Sequence, residues 1–271
     1  MTTLFQKTIL LTGATGGFGQ HFMRQLLARD NRLIVTDLDV EVLTELAYRL
    51  RDEVGTGVIV ACIGGDLSTG SGVNTFWEEV DALGEPIDVL INNAGIGLMG
   101  RHDEVPQAAW ERLMQVNLLA PMRLCALVAP QMIARRDGHI VNIASMASWM
   151  GDVGLTAYVA SKFGLRGFSE TLADELHQHN VRVSAVYPFY SNTPILDSPR
   201  YGSLAEMNSA ETIDRTRLTD PAKIVAETLS AIEKDQMPIF PDKIGRFLYK
   251  IKRYTPSLFE ILRRRFTQAK Q

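Results

Sequence analysis

The chain of 271 residues is poor in cysteine, with only Cys62 and Cys125. One falls in an expected strand and the other in an expected apolar helix, so both read as buried free thiols in a reducing compartment. A disulfide framework is thereby excluded. No cysteine–histidine group has zinc-ligand spacing, and no metal is expected. No apolar run reaches the roughly 18 residues of a membrane span. The N-terminus enters a strand almost at once without a signal-peptide pattern, so the expected location is the cytosol. Internal repeats and low-complexity linkers are also lacking, which favours one large domain over two small ones.

Charge of one sign is lacking too, since the net charge is only −3, with 46% hydrophobic and 22% charged residues. That balance is ordinary for a soluble protein and gives no case for a nucleic-acid partner. The average hides a split. From Lys243 onward there are nine Lys/Arg and one acid, Glu260, or +8, leaving 19 basic against 30 acidic residues in 1–242, or −11. The expected division is therefore a body over 1–242 and a basic amphipathic helical tail over 243–271. Ile244, Phe247, Leu248 and Ile251 recur at helical spacing, with Arg246, Lys250, Lys252 and Arg253 mostly elsewhere on the wheel. Thr255-Pro256 can open a second helix carrying Leu258, Ile261, Leu262 and Phe266, with Arg263–Arg265 alongside. Two readings stand: helices docked on the acidic body, or a membrane-surface contact.

What is present is a regular alternation. Strands are expected at Lys7–Thr12, Arg32–Thr36, Val58–Ile63, Ile87–Ile91, His139–Ile143 and Val181–Tyr187. Helices are expected at Val40–Leu50, Val73–Leu83, about Pro106–Arg136, about Leu155–His177 and Pro221–Glu233, with a further helical pattern around Phe22, Leu26 and Leu27. Asp220 and Pro221 fit the start of their helix. Such alternation implies an α/β fold, a doubly wound parallel sheet with helices on both faces. Residues 189–219 suit a lid or a loop over a pocket, and Met237–Phe240 could form a seventh strand.

Tyr158 and Lys162 stand four apart and so share one helix face. A phenol has a reference pKa of about 10, and a nearby ammonium favours the phenolate. Reaching about 7 needs roughly 4 kcal/mol, more than one lysine supplies, so a second positive charge is implied. An oxidised nicotinamide ring would provide it. Taken alone, this pair is more often a surface helix contact. The turn Thr12-Gly13-Ala14-Thr15-Gly16-Gly17-Phe18-Gly19 adds weight, because it lies between an expected strand and helix, where glycines admit a pyrophosphate to the helix N-terminus. The competing reading is a tight turn that needs glycine for geometry alone. Asp37 ends the second strand, where a carboxylate accepts the adenosine ribose hydroxyls and repels a 2′-phosphate, favouring NAD over NADP. Asp37 could instead cap the next helix. Asp66 could meet the adenine edge or cap a helix.

Together these residues resemble the classical short-chain dehydrogenase/reductase family. The matching pieces are Thr12-Gly13-x-x-x-Gly17-x-Gly19, Asn92-Asn93-Ala94-Gly95, Asn117, Ser145, Tyr158-x-x-x-Lys162, Pro188 and Thr193. The resemblance implies a Rossmann-type single domain with a C-terminal helical extension. It implies Tyr158 as general acid/base, Ser145 as the hydrogen-bonding partner of the reacting oxygen, Lys162 on the nicotinamide ribose, and Asn117 in a water relay. Cofactor contacts are expected from Gly13, Thr15, Gly17, Phe18, Gly19, Asp37, Asp66, Asn93, Ala94, Gly95, Tyr158, Lys162, Pro188 and Thr193. Two departures stand out: Phe189 follows Pro188 where the family usually has glycine, and Ser148 replaces a frequent glycine. Met99, Met146, Trp149, Phe189, Tyr190 and Ile195 are expected near the pocket, a lipophilic lining with no evident cation. The expected activity is NAD(H)-dependent interconversion of an alcohol and a ketone or aldehyde on a small hydrophobic substrate, by a homo-oligomer. The alternative is a catalytically quiet NAD(H)-sensing protein on the same fold.

Overall fold

Six strands form the centre of the protein, and most of their residues are hidden on both faces. In this computed structural model, residues 1–205, 215, 218–257 and 259–260 are described. The strands are β1 (Thr8–Thr12), β2 (Arg32–Asp37), β3 (Val58–Gly64), β4 (Val89–Asn92), β5 (Gly138–Ile143) and β6 (Val181–Val186). They lie in the order β3-β2-β1-β4-β5-β6, with every neighbouring pair parallel. Parallel neighbours need crossover helices, which cover both faces. Alternate residues feed alternate layers. Ile9, Leu11, Leu33 and Val35 pack with Phe22, Leu43, Val225 and Leu229 on one side. Leu10, Ile34, Leu90 and Ile140 pack with Phe76, Leu124, Val128 and Leu176 on the other.

The helices supplying those layers are α1 (Gly19–Leu27), α2 (Val40–Val54), α3 (Gly70–Ala82), α4 (Gln107–Met114), α5 (Ala120–Arg135), α6 (Thr156–His177) and α7 (Pro221–Ile232). Asp39 caps α2 through the amides of Glu41 and Val42, and Asp220 caps α7 through that of Ala222, as expected for the latter. Between α4 and α5, residues Gln115–Leu119 widen into a π-helical turn. The whole stretch Gln107–Arg135 is long and apolar enough to cross a membrane by length and composition, with mean hydropathy 1.4 in its most apolar window. This corrects the sequence expectation that no segment would qualify. The stretch is a core helix here: Leu113, Leu124 and Val128 are buried in the domain's core clusters. The expected seventh strand is reduced to one parallel bridge between Ile239 and Val186. Cys125 is buried as expected, but Cys62 is only half-buried.

The tail begins with α8 (Lys243–Tyr254), capped by Asp242. Leu248 joins a cluster with Tyr187, Trp149 and Phe240. Tyr249 stacks on Phe240 with ring centroids 4.3 Å apart and meets Trp149 edge-on at 4.7 Å. One face of α8 is therefore docked on the body, while Phe247 and Tyr254 remain 62% and 73% exposed. The expectations for Leu258, Ile261, Leu262, Phe266 and Arg263–Arg265 lie outside the described residues, as does most of 206–217.

Candidate active site

The strand order reverses between β1 and β4, and ligands of open α/β sheets bind at such a switch point, beyond the strands' carboxyl ends. A cleft of about 600 Å³ lies there, running from the glycine turn past Asp37 and Asp66 to Ser145, Tyr158 and the segment after β6. Of the site residues singled out in the sequence, all but Gly19 and Asn117 line it.

At one end, the turn after β1 is tightly folded. Gly13 has φ +65°, and a Cβ on it would sit 2.6 Å from the Ala94 Cα, so only glycine fits. Thr12 Oγ1 accepts from the amides of Asn93 and Ala94, while Asn93 Nδ2 donates to the carbonyls of Thr12 and Gly13. Asn93 and Ala94 thus brace the turn. The amides of Thr15 and Gly16 are spent within the chain, on Asp37 and on Gly13. Among the described residues, no intrachain acceptor takes the amides of Gly17, Phe18 and Gly19. Unpaired amides at the first turn of α1, with its dipole, fit the pyrophosphate of a dinucleotide.

Asp37 does not cap α2; Asp39 does. Asp37 Oδ2 accepts from both the amide (2.8 Å) and the hydroxyl (2.7 Å) of Thr15, and Oδ1 accepts from the Leu38 amide. A carboxylate has about four lone-pair sites, so this arrangement leaves about one for a ribose hydroxyl. Asp66 accepts from the Ser68 amide, and hydrogen bonding by Ser68 holds its carboxyl below the ordinary range. It does not cap α3 either, since Thr69 does so.

At the other end stand the groups able to move a proton. Ser145 leaves β5 and starts a short 3₁₀ turn, accepting from the Ala147 amide. The Ser145 hydroxyl opposes the upward push of burial on the Tyr158 phenol. The net direction is upward, so the chain's own groups do not lower this pKa, contrary to the effect expected from Lys162. Lys162 Nζ lies 5.7 Å from the Tyr158 ring centroid and donates to the Ile143 carbonyl at 3.0 Å. Burial lowers its pKa to about 8. Asn117 sits in the π turn with its amide fully engaged: Oδ1 accepts from the Ile96 amide and Nδ2 donates to the Ile96 carbonyl, both at 2.8 Å. The side chain therefore locks the segment after β4 beside Lys162. Ser148 Oγ donates to the Lys162 carbonyl at 2.7 Å, which gives that departure from glycine a bracing task.

The substrate side differs from expectation in two respects. Trp149 does not line the cleft; it turns into the aromatic cluster under α8, with the Arg166 guanidinium 3.3 Å over its ring. Cations are present, because Arg112 and Arg200 both line the cleft. Met99, Met146, Phe189, Tyr190 and Ile195 do line it. Sequence reasoning missed two further groups, Asp152 and Asp242. Asp152 and Tyr190 form a polar pair in the wall, the phenol donating to Asp152 Oδ2 at 3.3 Å. Asp242 accepts from the Phe189 amide at 2.9 Å. Only Asp242 left a trace in the sequence, as a capping residue directly before a helical pattern.

The family model for short chain dehydrogenases matches residues 7–201. Acetoacetyl-CoA reductase from Acinetobacter sp. (strain RA3849) is 30% identical over 229 residues, covering 84% of this chain and 91% of that one. Among solved structures, a short-chain dehydrogenase from Sphingobium yanoikuyae in complex with NADPH aligns with TM-score 0.78 at 26% identity, covering 94% and 95% of the two chains. The bulky-bulky ketone specific alcohol dehydrogenase from Comamonas testosteroni aligns with TM-score 0.75 at 25% identity, covering 94% of each.

Proposed function

Because the chain belongs to the short-chain dehydrogenase family of oxidoreductases, we propose that it interconverts a secondary alcohol and a ketone, or an aldehyde and its alcohol, on a hydrophobic substrate. One observation carries this reading: Tyr158, one helical turn from Lys162, opens with Ser145 onto the same cleft as the glycine turn. When bound along that cleft, a nicotinamide dinucleotide supplies or accepts the hydride. The chain's residues do the rest. The Gly17–Gly19 amides hold the pyrophosphate, and Asp66 lies toward the adenine. Ser145 fixes the reacting oxygen by hydrogen bonding. Tyr158 donates the proton in reduction and takes it in oxidation. Lys162 would support the ribose, Asn117 holds the segment after β4 in place, and Thr193 and Pro188 would border the nicotinamide.

NAD(H) is the preferred cofactor in this reading. The support is the negative charge of Asp37 at the end of β2, with Asp39 close by and no cation between them. The Sphingobium protein's NADPH argues the other way, so cofactor choice needs measurement. A lipophilic substrate is supported by the methionine and aromatic lining, and by the bulky ketones named for the Comamonas enzyme. The same reading includes a homo-oligomer in the cytosol whose basic tail meets a membrane surface.

The test is a panel of lipophilic ketones and aldehydes, followed by absorbance with NADH or NADPH. Turnover should be at least about tenfold better in kcat/KM with NADH, or about 1.4 kcal/mol. Equal use of the two cofactors removes the NAD preference. Tyr158→Phe should lower turnover by about 10²-fold or more while NADH still binds. Near-normal turnover in that variant removes Tyr158 from the mechanism.

A further inference from the structure

Among the described residues, three helices begin with an aspartate cap, and one differs from the others. Asp39 and Asp220 are exposed, and each accepts only from amides of its own helix. Asp242 is 6% exposed, and its two oxygens serve different parts of the molecule. Oδ1 accepts from the Gly245 amide of α8 at 2.6 Å, while Oδ2 accepts from the Phe189 amide at 2.9 Å, directly after Pro188 in the cleft wall. Among the described residues, no ion pair reaches this carboxylate. Capping alone does not require burying a charge, and an unpaired buried carboxylate is costly unless its hydrogen bonds are well made.

The pinned amide starts a short chain of contacts that ends in the pocket. The Phe189 ring meets Tyr190 edge-on at 5.0 Å, and the Tyr190 phenol donates to Asp152. Phe189, Tyr190 and Asp152 all line the cleft with Tyr158. At its other end, α8 is tied to the Ser145 loop, since Lys252 Nζ donates to the Trp149 carbonyl. The helix thus holds both loops that border the reacting groups.

We propose that Asp242 is a positioning residue for the substrate side of the cleft, so that α8, through the Phe189–Tyr190 wall, sets which carbonyl compounds the site accepts. This rests on the alcohol–carbonyl reading given above. Asp242→Asn keeps the shape but replaces one acceptor oxygen with a donor, so one of the two amides loses its partner. KM for a bulky ketone should rise about tenfold, equivalent to about 1.4 kcal/mol, a typical hydrogen-bond loss. The kcat value, KM for a small ketone and NADH affinity by fluorescence should stay within about twofold.

A purely structural role predicts a different pattern, read against Ile232→Val, a core change far from the cleft. If Ile232→Val at matched loss of Tm reproduces the selective KM change, or if KM rises alike for small and bulky ketones, the proposal is overturned. Hydrogen exchange followed by mass spectrometry gives a readout independent of turnover. Amides over 187–193 should lose protection in Asp242→Asn while α6 keeps its own, and unchanged protection overturns the proposal. Should the unaltered chain act on no alcohol or carbonyl compound, the redox reading fails and exchange alone judges Asp242.

Discussion

Lys162 is an ammonium held where water scarcely reaches: it is 4% exposed, and among the described residues the one hydrogen-bond acceptor of its Nζ is the Ile143 carbonyl. Burial lowers its pKa from 10.5 to about 8, the direction that disfavours its charged form. Because the folded value lies below the unfolded one, the associated stability is present above about 10.5 and lost as pH falls through about 8. At pH 7 the charged lysine therefore works against folding, by roughly 3 kcal/mol. Replacing it should reveal that cost. Lys162→Met gives up a hydrogen bond of about 1 kcal/mol, so the variant should be about 2 kcal/mol more stable than the parent at pH 7. The gap should shrink by pH 10, read by urea unfolding at both pH values, and the variant should be inactive. A variant less stable than the parent at pH 7 would show that Lys162 is matched to its surroundings by more than that carbonyl.

Among the elements, the glycine turn and the segment after β6 are not independent walls of the cleft but are packed against each other. A Cβ on Gly17 would lie 2.6 Å from both Cβ and Cγ2 of Thr193 and 3.0 Å from Pro194 Cδ. Gly17→Ala must push the 193–194 segment outward, and overpacking of this kind costs about 1–3 kcal/mol. NADH affinity should fall by about tenfold or more in fluorescence titration, with Tm lowered by about 2–4 °C for each kcal/mol of strain. Unaltered affinity would mean that the segment yields freely. The same scale shows what could be read from the chain beforehand. β1 and β4 are buried on both faces and appear in the sequence as short apolar runs between helical patterns, so their places and the parallel sheet follow from local pattern. Tyr158 and Lys162 were equally visible, being one helical turn apart. The π turn at Asn117, the inward turn of Trp149, and the bond of Asp242 to Phe189 were not. Each depends on partners distant in sequence, such as Ile96, 21 residues from Asn117, Phe189, 53 residues from Asp242, and Tyr249 for Trp149, and no local periodicity encodes those meetings.

For the molecule as a whole, charge and apolar surface are distributed to opposite effect on the body and on α8. Residues 1–242 carry −11, while α8 presents Lys243, Arg246, Lys250 and Arg253 on its outer side beside exposed Ile244, Phe247 and Tyr254. The inner side is already occupied by Leu248 and Tyr249 in the aromatic cluster, so docking on the body accounts for half the helix only. A row of cations next to an apolar edge suits the headgroup region of an anionic bilayer, each Lys or Arg contributing about 1 kcal/mol near the surface. Cutting the chain at Asp242 would be a poor test, because it would uncover Trp149 and Phe240 and could unfold the body. Surface changes avoid that difficulty. The full-length protein should co-sediment with phosphatidylserine-containing vesicles at low salt and be released as salt rises, because exposed charges are screened. Phe247→Ser with Arg246→Gln and Lys250→Gln removes the apolar edge and two charges, so vesicle affinity should fall by about 30-fold or more, from about 2 kcal/mol of lost charge alone. Tm and turnover of a small soluble ketone should hold, since none of the three residues touches the cleft. If the unaltered protein ignores vesicles at low salt, while sedimentation shows self-association that the triple variant abolishes, then the outer edge of α8 is a subunit contact and the membrane reading is dropped.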